Sequence, residues 1–364
     1  MEPVAPPLPR AQGQNRPRPP SEPGVIGPPF DVLAAAARER LRARPMPAWA
    51  APMLATLTDE RFSDPAWVFE RKLDGERCLA FRGARVRLLS RNRRLLNGAY
   101  PEVAEALERE PARCVLDGEI VAFDHGATSF ERLQGRMGLD DPERARATGI
   151  PVFYYVFDIL WLEGQDTTRL ELLDRKRLLR RTITFRAPLR YTEHRVRDGE
   201  RFYRQACRSR WEGLIAKRAA SSYVHRRSRD WLKFKCLARQ ELVIGGWTDP
   251  EGGRSDFGAL LVGYYDGPAL VYAGKVGTGY DEATLRSLGA RLRQLARSRS
   301  PFARGKPPTS RVHWVEPRLV AEVGFTEWTR AGKLRHPRFL GLRPDKRARE
   351  VVRERAHAAR REDA

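Results

Sequence analysis

Residues Trp67 to Arg82 read WVFERKLDGERCLAFR. On both sides of Asp74-Gly75 the side chains alternate or are β-branched and aromatic, the pattern of two short strands. Asp-Gly is a turn dipeptide, so Lys72 is expected to protrude where one strand ends and the next begins. A lysine before an Asp-Gly turn is ordinary hairpin chemistry. What gives this one weight is the company it keeps along the chain.

Strand-like stretches of the same kind recur at RVRLLS (85–90), CVLDGEIVAF (114–123), FYYVFDILWL (153–162), GLIAKR (213–218) and WLKFK (231–235). Helical spacing falls between them, at Tyr100 to Glu110, Glu171 to Thr182 and Asp198 to Arg210, which predicts antiparallel sheets covered by helices. After Ala238 the pattern shifts to glycine-punctuated strands, ELVIGGWT (241–248), GALLVGYYD (258–266) and LVYAGKVGTG (270–279). One helix at Asp281 to Ala296 and further strands near Val312 and Leu319 follow. Five or so short strands with an inserted helix predict a small OB-like barrel, a common nucleic-acid platform.

The 364 residues exceed the usual single domain, so two folded units plus tails are expected. Residues 1–29 alternate proline with small and basic residues and read as a disordered tail. Residues 30–46 read as a basic linker or short helix, with helical spacing over Asp31 to Arg44, and 348–364 as a basic C-terminal tail. Lys and Arg number 68 against 46 Asp and Glu, a formal charge of +22, and such a surface suits a phosphate backbone. Cys78, Cys114, Cys207 and Cys236 are scattered with no CxxC pair, which argues against a zinc knuckle and for a reducing cytoplasm. The absence of a signal core or a long apolar run predicts a soluble protein with no membrane association.

Downstream of Lys72-Leu73-Asp74-Gly75 and Arg77 stand, in order, SRN (90–92), LDGEI (116–120), Phe157-Asp158, EGLIAK (212–217), WLKFK and RHPRFLGLRPDK (335–346). This series resembles the ordered motifs of the covalent nucleotidyltransferases. With PMLATL (52–57) and AGKVGTG (273–279), it looks like the ligase domain of bacterial non-homologous end-joining ATP-dependent DNA ligases, from about Pro47 to Arg347. The resemblance implies an α+β chain: an adenylyltransferase (nucleotidyltransferase, ATP-grasp-like DNA ligase) domain over 47–237, then an OB-fold barrel over 238–347. It implies a DNA ligase (ATP) acting in DNA repair, recombination or end joining, a cytoplasmic monomer whose partners are nicked or broken duplex DNA and end-joining proteins.

By that resemblance Lys72 is the nucleophile that takes AMP from ATP. Its amine must be neutral to attack, and the cations Lys217, Lys233 and Lys235 are expected to lower its pKa by like charge. If EGLIAK and WLKFK lie side by side, alternation puts Lys233 and Lys235 on one face, where they can meet the α-phosphate. Glu119 and Glu212 are the carboxylates expected to hold Mg²⁺ or Mn²⁺. Phe157 resembles the aromatic that stacks on adenine, Glu70 belongs to the adenine-contacting segment, and Arg77 and Arg91 resemble the arginines that grip ribose or a 5′-phosphate. Arg335, Arg338, Arg343, Asp345 and Lys346 fit a motif that orients pyrophosphate once the barrel closes, with a hinge expected at Ala238 to Glu241.

Two alternatives stand within the enzymes, an RNA ligase and an mRNA guanylyltransferase, since both use the same lysine. A third is a non-catalytic nucleic-acid-binding protein with a transferase core. An NAD-dependent ligase is disfavoured because that family carries a four-cysteine zinc site.

Overall fold

In the computed structural model the two strands flanking the Asp74-Gly75 turn cover Trp67–Lys72 and Glu76–Arg82, yet they do not pair. The turn carries the chain out of one sheet and into another. Trp67–Lys72 lies between His194–Val196 and Gly213–Arg218 in a five-stranded sheet completed by Arg227–Lys235 and Leu54–Leu57. Glu76–Arg82 lies between Val86–Ser90 and Cys114–Asp124 in an eight-stranded sheet that continues to Val152–Leu162. Gly75 permits the crossing, because a Cβ there would stand 2.1 Å from the Ile120 carbonyl oxygen. The cleft between the two sheets opens beside Lys72.

The structure describes residues 29–236, 238–250 and 256–354. The expected N-terminal tail therefore lies outside the described residues except for Pro29, as does the C-terminal run beyond Glu354. Among the described residues, strand-to-strand pairings are antiparallel except that Leu189–Tyr191 runs parallel to Val152–Leu162 and Leu54–Leu57 parallel to Arg227–Lys235, with isolated parallel bridges at Tyr265–Val352 and Val271–Arg304. Helices form at Pro101–Glu108, Leu172–Thr182 and Gly199–Arg208, where spacing predicted them, and also at Phe130–Gln134 and Pro142–Ala147, where it did not. The last two are short, and their identity rests on caps: Ser129 and Asp141 accept backbone N–H bonds in the first turn.

The helix expected over Asp31 to Arg44 is broken. A 3₁₀ turn at Phe30–Val32 and one helical turn at Ala35–Arg38 give way to Arg42–Ala43, which pairs with Gln165–Asp166 at the sheet edge. Phe30, Leu33, Ala37 and Leu41 are buried in the core of the large sheet, so packing rather than propensity sets this segment.

The second unit is a seven-stranded sheet. Ala238–Thr248 is its spine, pairing with Leu260–Asp266, Val312–Val315 and Val320–Phe325, and helix Glu282–Gln294 packs Leu285, Leu288 and Leu292 into the core. Strand Arg338–Leu342, unforeseen because it lies inside a proline- and glycine-bearing motif, pairs with Val320–Phe325. Ala238 to Glu241, expected as a hinge, are regular strand residues opposite Phe325 to Glu322. Strand Arg227–Lys235 ends and strand Ala238–Thr248 begins with only residues 236 and 237 between them, the second outside the described residues.

Two of the four cysteines scattered in the sequence meet in the fold. Cys207, at the end of helix Gly199–Arg208, and Cys236 form a disulfide, their Cα atoms 5.2 Å apart. Sequence separation of 29 hid a tertiary neighbour, and the scattered spacing no longer argues for a reducing compartment. Cys78 and Cys114 are free and buried.

Candidate active site

Three neighbouring strands of the five-stranded sheet build one wall of the cleft as a grid. Residues opposite one another in an antiparallel pair share a face, and every second residue repeats it. The register puts Lys72 beside Gly213 and Gly213 beside Lys235; the next row is Glu70, Ile215, Lys233, and the next Val68, Lys217, Trp231. Alternation in WLKFK thus delivers Trp231, Lys233 and Lys235 to the same side as Lys72. Gly213 adopts φ +148° and has no room for a side chain, since a Cβ would meet the Phe234 carbonyl at 1.8 Å.

The large sheet supplies the facing wall. Arg77 and Glu119 sit opposite each other, and a register shift between Asp117 and Gly118 inserts Phe157 as an extra residue in its strand. Such a bulge re-aims a side chain. Phe157 meets Trp231 edge-on with ring centroids 6.0 Å apart, and the Lys217 ammonium lies 4.4 Å and 4.0 Å from the two rings. Asp158, next along, turns the other way and is held by both guanidinium arms of Arg175 at 2.7 and 3.0 Å, with both residues fully buried. The wall is therefore anchored from behind.

The second unit closes the cleft. Asp74 pairs with Arg239 at 3.0 Å, the Asn92 amide donates to the Asp345 carbonyl at 2.6 Å, and the Arg343 guanidinium lies 4.2 Å from the Phe130 ring. The cavity so enclosed measures about 230 Å³. Its lining includes Glu70, Lys72, Arg77, Arg91, Glu119, Phe157, Glu212, Lys217, Lys233, Lys235, Arg343 and Lys346. These sequence-predicted residues share one cavity, whereas Arg335, paired with Glu327 at 2.7 Å, and Arg338 do not line it.

The electrostatics differ from expectation. Lys72 donates to Glu212 at 2.5 Å. Burial alone would lower the Lys72 pKa, but the Glu212 carboxylate outweighs it and holds the ammonium above the ordinary lysine range. The net lowering expected from Lys217, Lys233 and Lys235 is absent: Lys235 does pull Lys72 down, but all three cations are themselves paired with carboxylates and Glu212 prevails. Lys217 pairs with Glu70 at 2.6 Å, two rows away from Lys72, and Lys233 and Lys235 share Glu354. Burial pulls Lys217 below its usual value and Lys233 down to about 8. The Lys235 charge acts against that of Lys72 but is too weak to reverse the effect of Glu212.

Glu70 accepts from Lys176 at 2.5 Å as well as pairing with Lys217. Glu119 forms no ion pair among the described residues, and burial pushes its pKa up to about 7. Arg91 meets Glu350 at 3.1 Å, and Lys346 meets Glu241 at 3.2 Å. Arg343 is gripped by both oxygens of Asp345 at 2.9 and 2.8 Å and by Glu322 at 2.9 Å.

Several members of the site went unread. Trp231 was legible, being two and four residues from Lys233 and Lys235 in one strand. Asp117, fully buried, holds Arg77 at 2.5 and 2.6 Å and stands in the quoted LDGEI run. Tyr223 donates to Asp117 at 2.6 Å and accepts from the Met53 N–H at 2.7 Å, a role its sequence gave no hint of. Tyr223→Phe leaves two buried groups short of a partner. We expect a loss of about 1–3 kcal/mol in urea unfolding, and an unchanged midpoint would remove Tyr223 from this network.

Comparison with known proteins bears on the whole arrangement. Residues 52–235 match the family described as ATP dependent DNA ligase domain, and residues 253–346 match the ATP dependent DNA ligase C terminal region. The chain belongs to the ATP-dependent DNA ligases. It is 40% identical over 321 residues to the multifunctional non-homologous end joining protein LigD of Pseudomonas aeruginosa, a match covering 85% of this chain and 37% of that protein. Identity is likewise 40% over 313 residues to the multifunctional non-homologous end joining DNA repair protein LigD of Mycobacterium tuberculosis, covering 84% of this chain and 40% of that one. This ligase chain thus spans about two-fifths of the length of these relatives. A solved structure of mycobacterial DNA ligase D complexed with ATP and MES matches it with a TM-score of 0.61 and 36% identity, covering 84% of this chain and 98% of the other. A nucleotidyltransferase domain followed by an OB-fold domain is the architecture of these ligases, and it is the architecture observed here.

Proposed function

We propose that the chain seals 3′-hydroxyl/5′-phosphate nicks in duplex DNA, with ATP as substrate and a lysyl-AMP intermediate on Lys72. The observation that carries this reading is the grid: a lysine at the mouth of a closed cleft, level with Lys235, backed by Phe157 and Trp231 and capped by Arg343 and Lys346 from the second unit. In the division we propose, residues 47–237 form the adenylyltransferase domain and 238–347 the barrel.

In the first step the Lys72 amine attacks the α-phosphorus, a P–N bond forms, and the bond to pyrophosphate breaks. Glu212, already hydrogen-bonded to Nζ, is the nearest acceptor for the proton that Lys72 must lose. Phe157 supplies a face for adenine, beside the adenine-contacting segment at Glu70, and Lys233 and Lys235 supply charge at the α-phosphate. Arg343 and Lys346 orient pyrophosphate for departure in line. AMP then passes from nitrogen to a DNA 5′-phosphate oxygen held by Arg77 and Arg91, and the 3′-hydroxyl displaces AMP to close the backbone.

Glu119 and Glu212 suit a hard divalent cation, Mg²⁺ or Mn²⁺. Such an ion takes one or two carboxylates and completes its shell with water and phosphate. Bound there, it would screen phosphate charge. The net charge of +22 supports DNA as partner, and we propose that the chain acts as a monomer. Likeness to end-joining relatives supports a role in DNA repair and recombination with end-joining proteins as partners. A chromosomal substrate supports a cytoplasmic site of action; no helix among the described residues is long and apolar enough to cross a membrane.

The deciding experiment incubates the protein with α-labelled ATP, GTP or labelled NAD, then adds nicked DNA or nicked RNA. Label on the protein from ATP alone, transferred to and lost from nicked DNA with sealing, is expected. Labelling by GTP would indicate a guanylyltransferase, sealing of RNA alone an RNA ligase, and no labelling a binding protein.

A further inference from the structure

The segment after Lys346, expected to be a solvated basic tail, returns into the cleft. A 3₁₀ turn at Ala348–Glu350 redirects the chain, and Val351 is buried, its carbonyl accepting from the Tyr265 N–H at 2.7 Å. Gln240, itself buried, reads the next residues on both sides: its amide nitrogen donates to the Val352 carbonyl and its oxygen accepts from the Glu354 N–H, each at 3.1 Å. The result is a fixed path that ends with the Glu354 carboxylate on the Lys233 and Lys235 ammoniums, the latter at 2.8 Å. Earlier in the segment, Glu350 occupies Arg91 at 3.1 Å.

Two acidic side chains of one short segment thus cover cations from two places, strand Arg227–Lys235 and the turn that follows Val86–Ser90. A carboxylate and a phosphate compete for the same donors, since each presents anionic oxygens that accept charge-assisted hydrogen bonds. Burial raises the cost of ionising Glu354, yet Lys233 and Lys235 outweigh it and hold this carboxyl at about 2. It is therefore anionic throughout the working range, a permanent rival for the lysine pair.

We infer that residues 347–354 are an internal ligand of the cleft, with Glu354 standing in the phosphate position on Lys233 and Lys235, so that ATP enters by displacing this segment. The inference rests on the assignment of those lysines to the nucleotide phosphates. The displaced segment stays tethered through Lys346, which makes the competition unimolecular and independent of protein concentration. Apparent nucleotide affinity is lowered by the fraction of time the segment is docked.

The probe is inorganic tripolyphosphate, which needs no chemistry to bind. In calorimetric titration Glu354→Gln, which keeps shape and removes charge, is expected to bind it roughly tenfold tighter than the parent chain, as when the segment is docked about nine-tenths of the time. The apparent KM for ATP in protein labelling should fall by the same factor with the maximal rate unchanged. Tripolyphosphate should also speed hydrogen exchange at the Glu354 amide of the unsubstituted protein, because Gln240 loses that bond. Unchanged or weaker tripolyphosphate binding by Glu354→Gln overturns the proposal, and so does an exchange rate that does not respond. If tripolyphosphate behaves as expected but ATP labels neither protein, the internal ligand stands and the ligase reading fails.

Discussion

Lys72→Arg is expected to abolish labelling of the protein by ATP, a drop of roughly 10⁴-fold or more in the first step, while leaving the fold intact. The substitution keeps a cation opposite Glu212, so the pair at 2.5 Å is not left with an uncompensated carboxylate. A guanidinium does not lose its proton in a protein and cannot attack phosphorus. Strand closure from DNA already carrying AMP on its 5′-phosphate makes no use of the Lys72 amine as nucleophile, and this variant should catalyse it within about tenfold of the parent rate. Label on Lys72→Arg would refute the assignment, and loss of both reactions would point to a positional rather than a nucleophilic lysine.

The same pair sets a pH dependence. Glu212 holds Lys72 protonated, so the reactive amine is a minor species at neutral pH. The rate of labelling by ATP should climb by up to tenfold per pH unit, roughly, until it meets the Lys72 pKa or another step becomes limiting. A rate already flat from neutrality upward, with chemistry limiting, would mean that Lys72 reacts from a state in which Glu212 is no longer its partner.

Much of this site was legible because sheets repeat every two residues. Lys233 and Lys235, or Glu70 and Lys72, must share a face whatever sheet they join, and EGLIAK beside WLKFK completes the grid. The carboxylates that answer these lysines were not legible: Glu354 lies 119 positions from Lys235, and Glu322 meets Arg343 through the pairing of two strands. Complementary charge carries no sequence period. Asp74-Gly75 was read as a turn without any sign that it separates two sheets, since turn chemistry is local and the choice of partner strand is not. The Asp31 to Arg44 helix failed for a related reason: a four-residue helical turn survives only as far as Phe30, Leu33, Ala37 and Leu41 find the core. The sequence periods located the cations and the aromatic wall, but only tertiary packing decided their protonation.

Glu70→Gln is expected to cost about 3–5 kcal/mol of stability. Glu70, Lys176 and Lys217 are each about 2% exposed, and the one carboxylate lies 2.5 Å and 2.6 Å from the two ammoniums. Burial resists ionisation of Glu70, but the two lysines outweigh it and keep its pKa below the usual carboxylate value. Removing its charge leaves two buried cations with no anion between them. The cheapest escape is for one lysine to give up its proton, and Lys217, already pulled down by burial, is the one expected to do so. Against an unfolded lysine near 10.4, neutralisation at pH 7 costs about 5 kcal/mol, which sets the ceiling. The unfolded variant then binds one proton more than the folded one, so its stability rises with pH, by up to about 1.4 kcal/mol per unit between about pH 7 and 9. Thermal and urea unfolding across that range measure both quantities. A loss under about 1 kcal/mol, or a deficit that widens as pH rises, would show that Glu70 is not the counter-charge on which this buried pair of lysines depends.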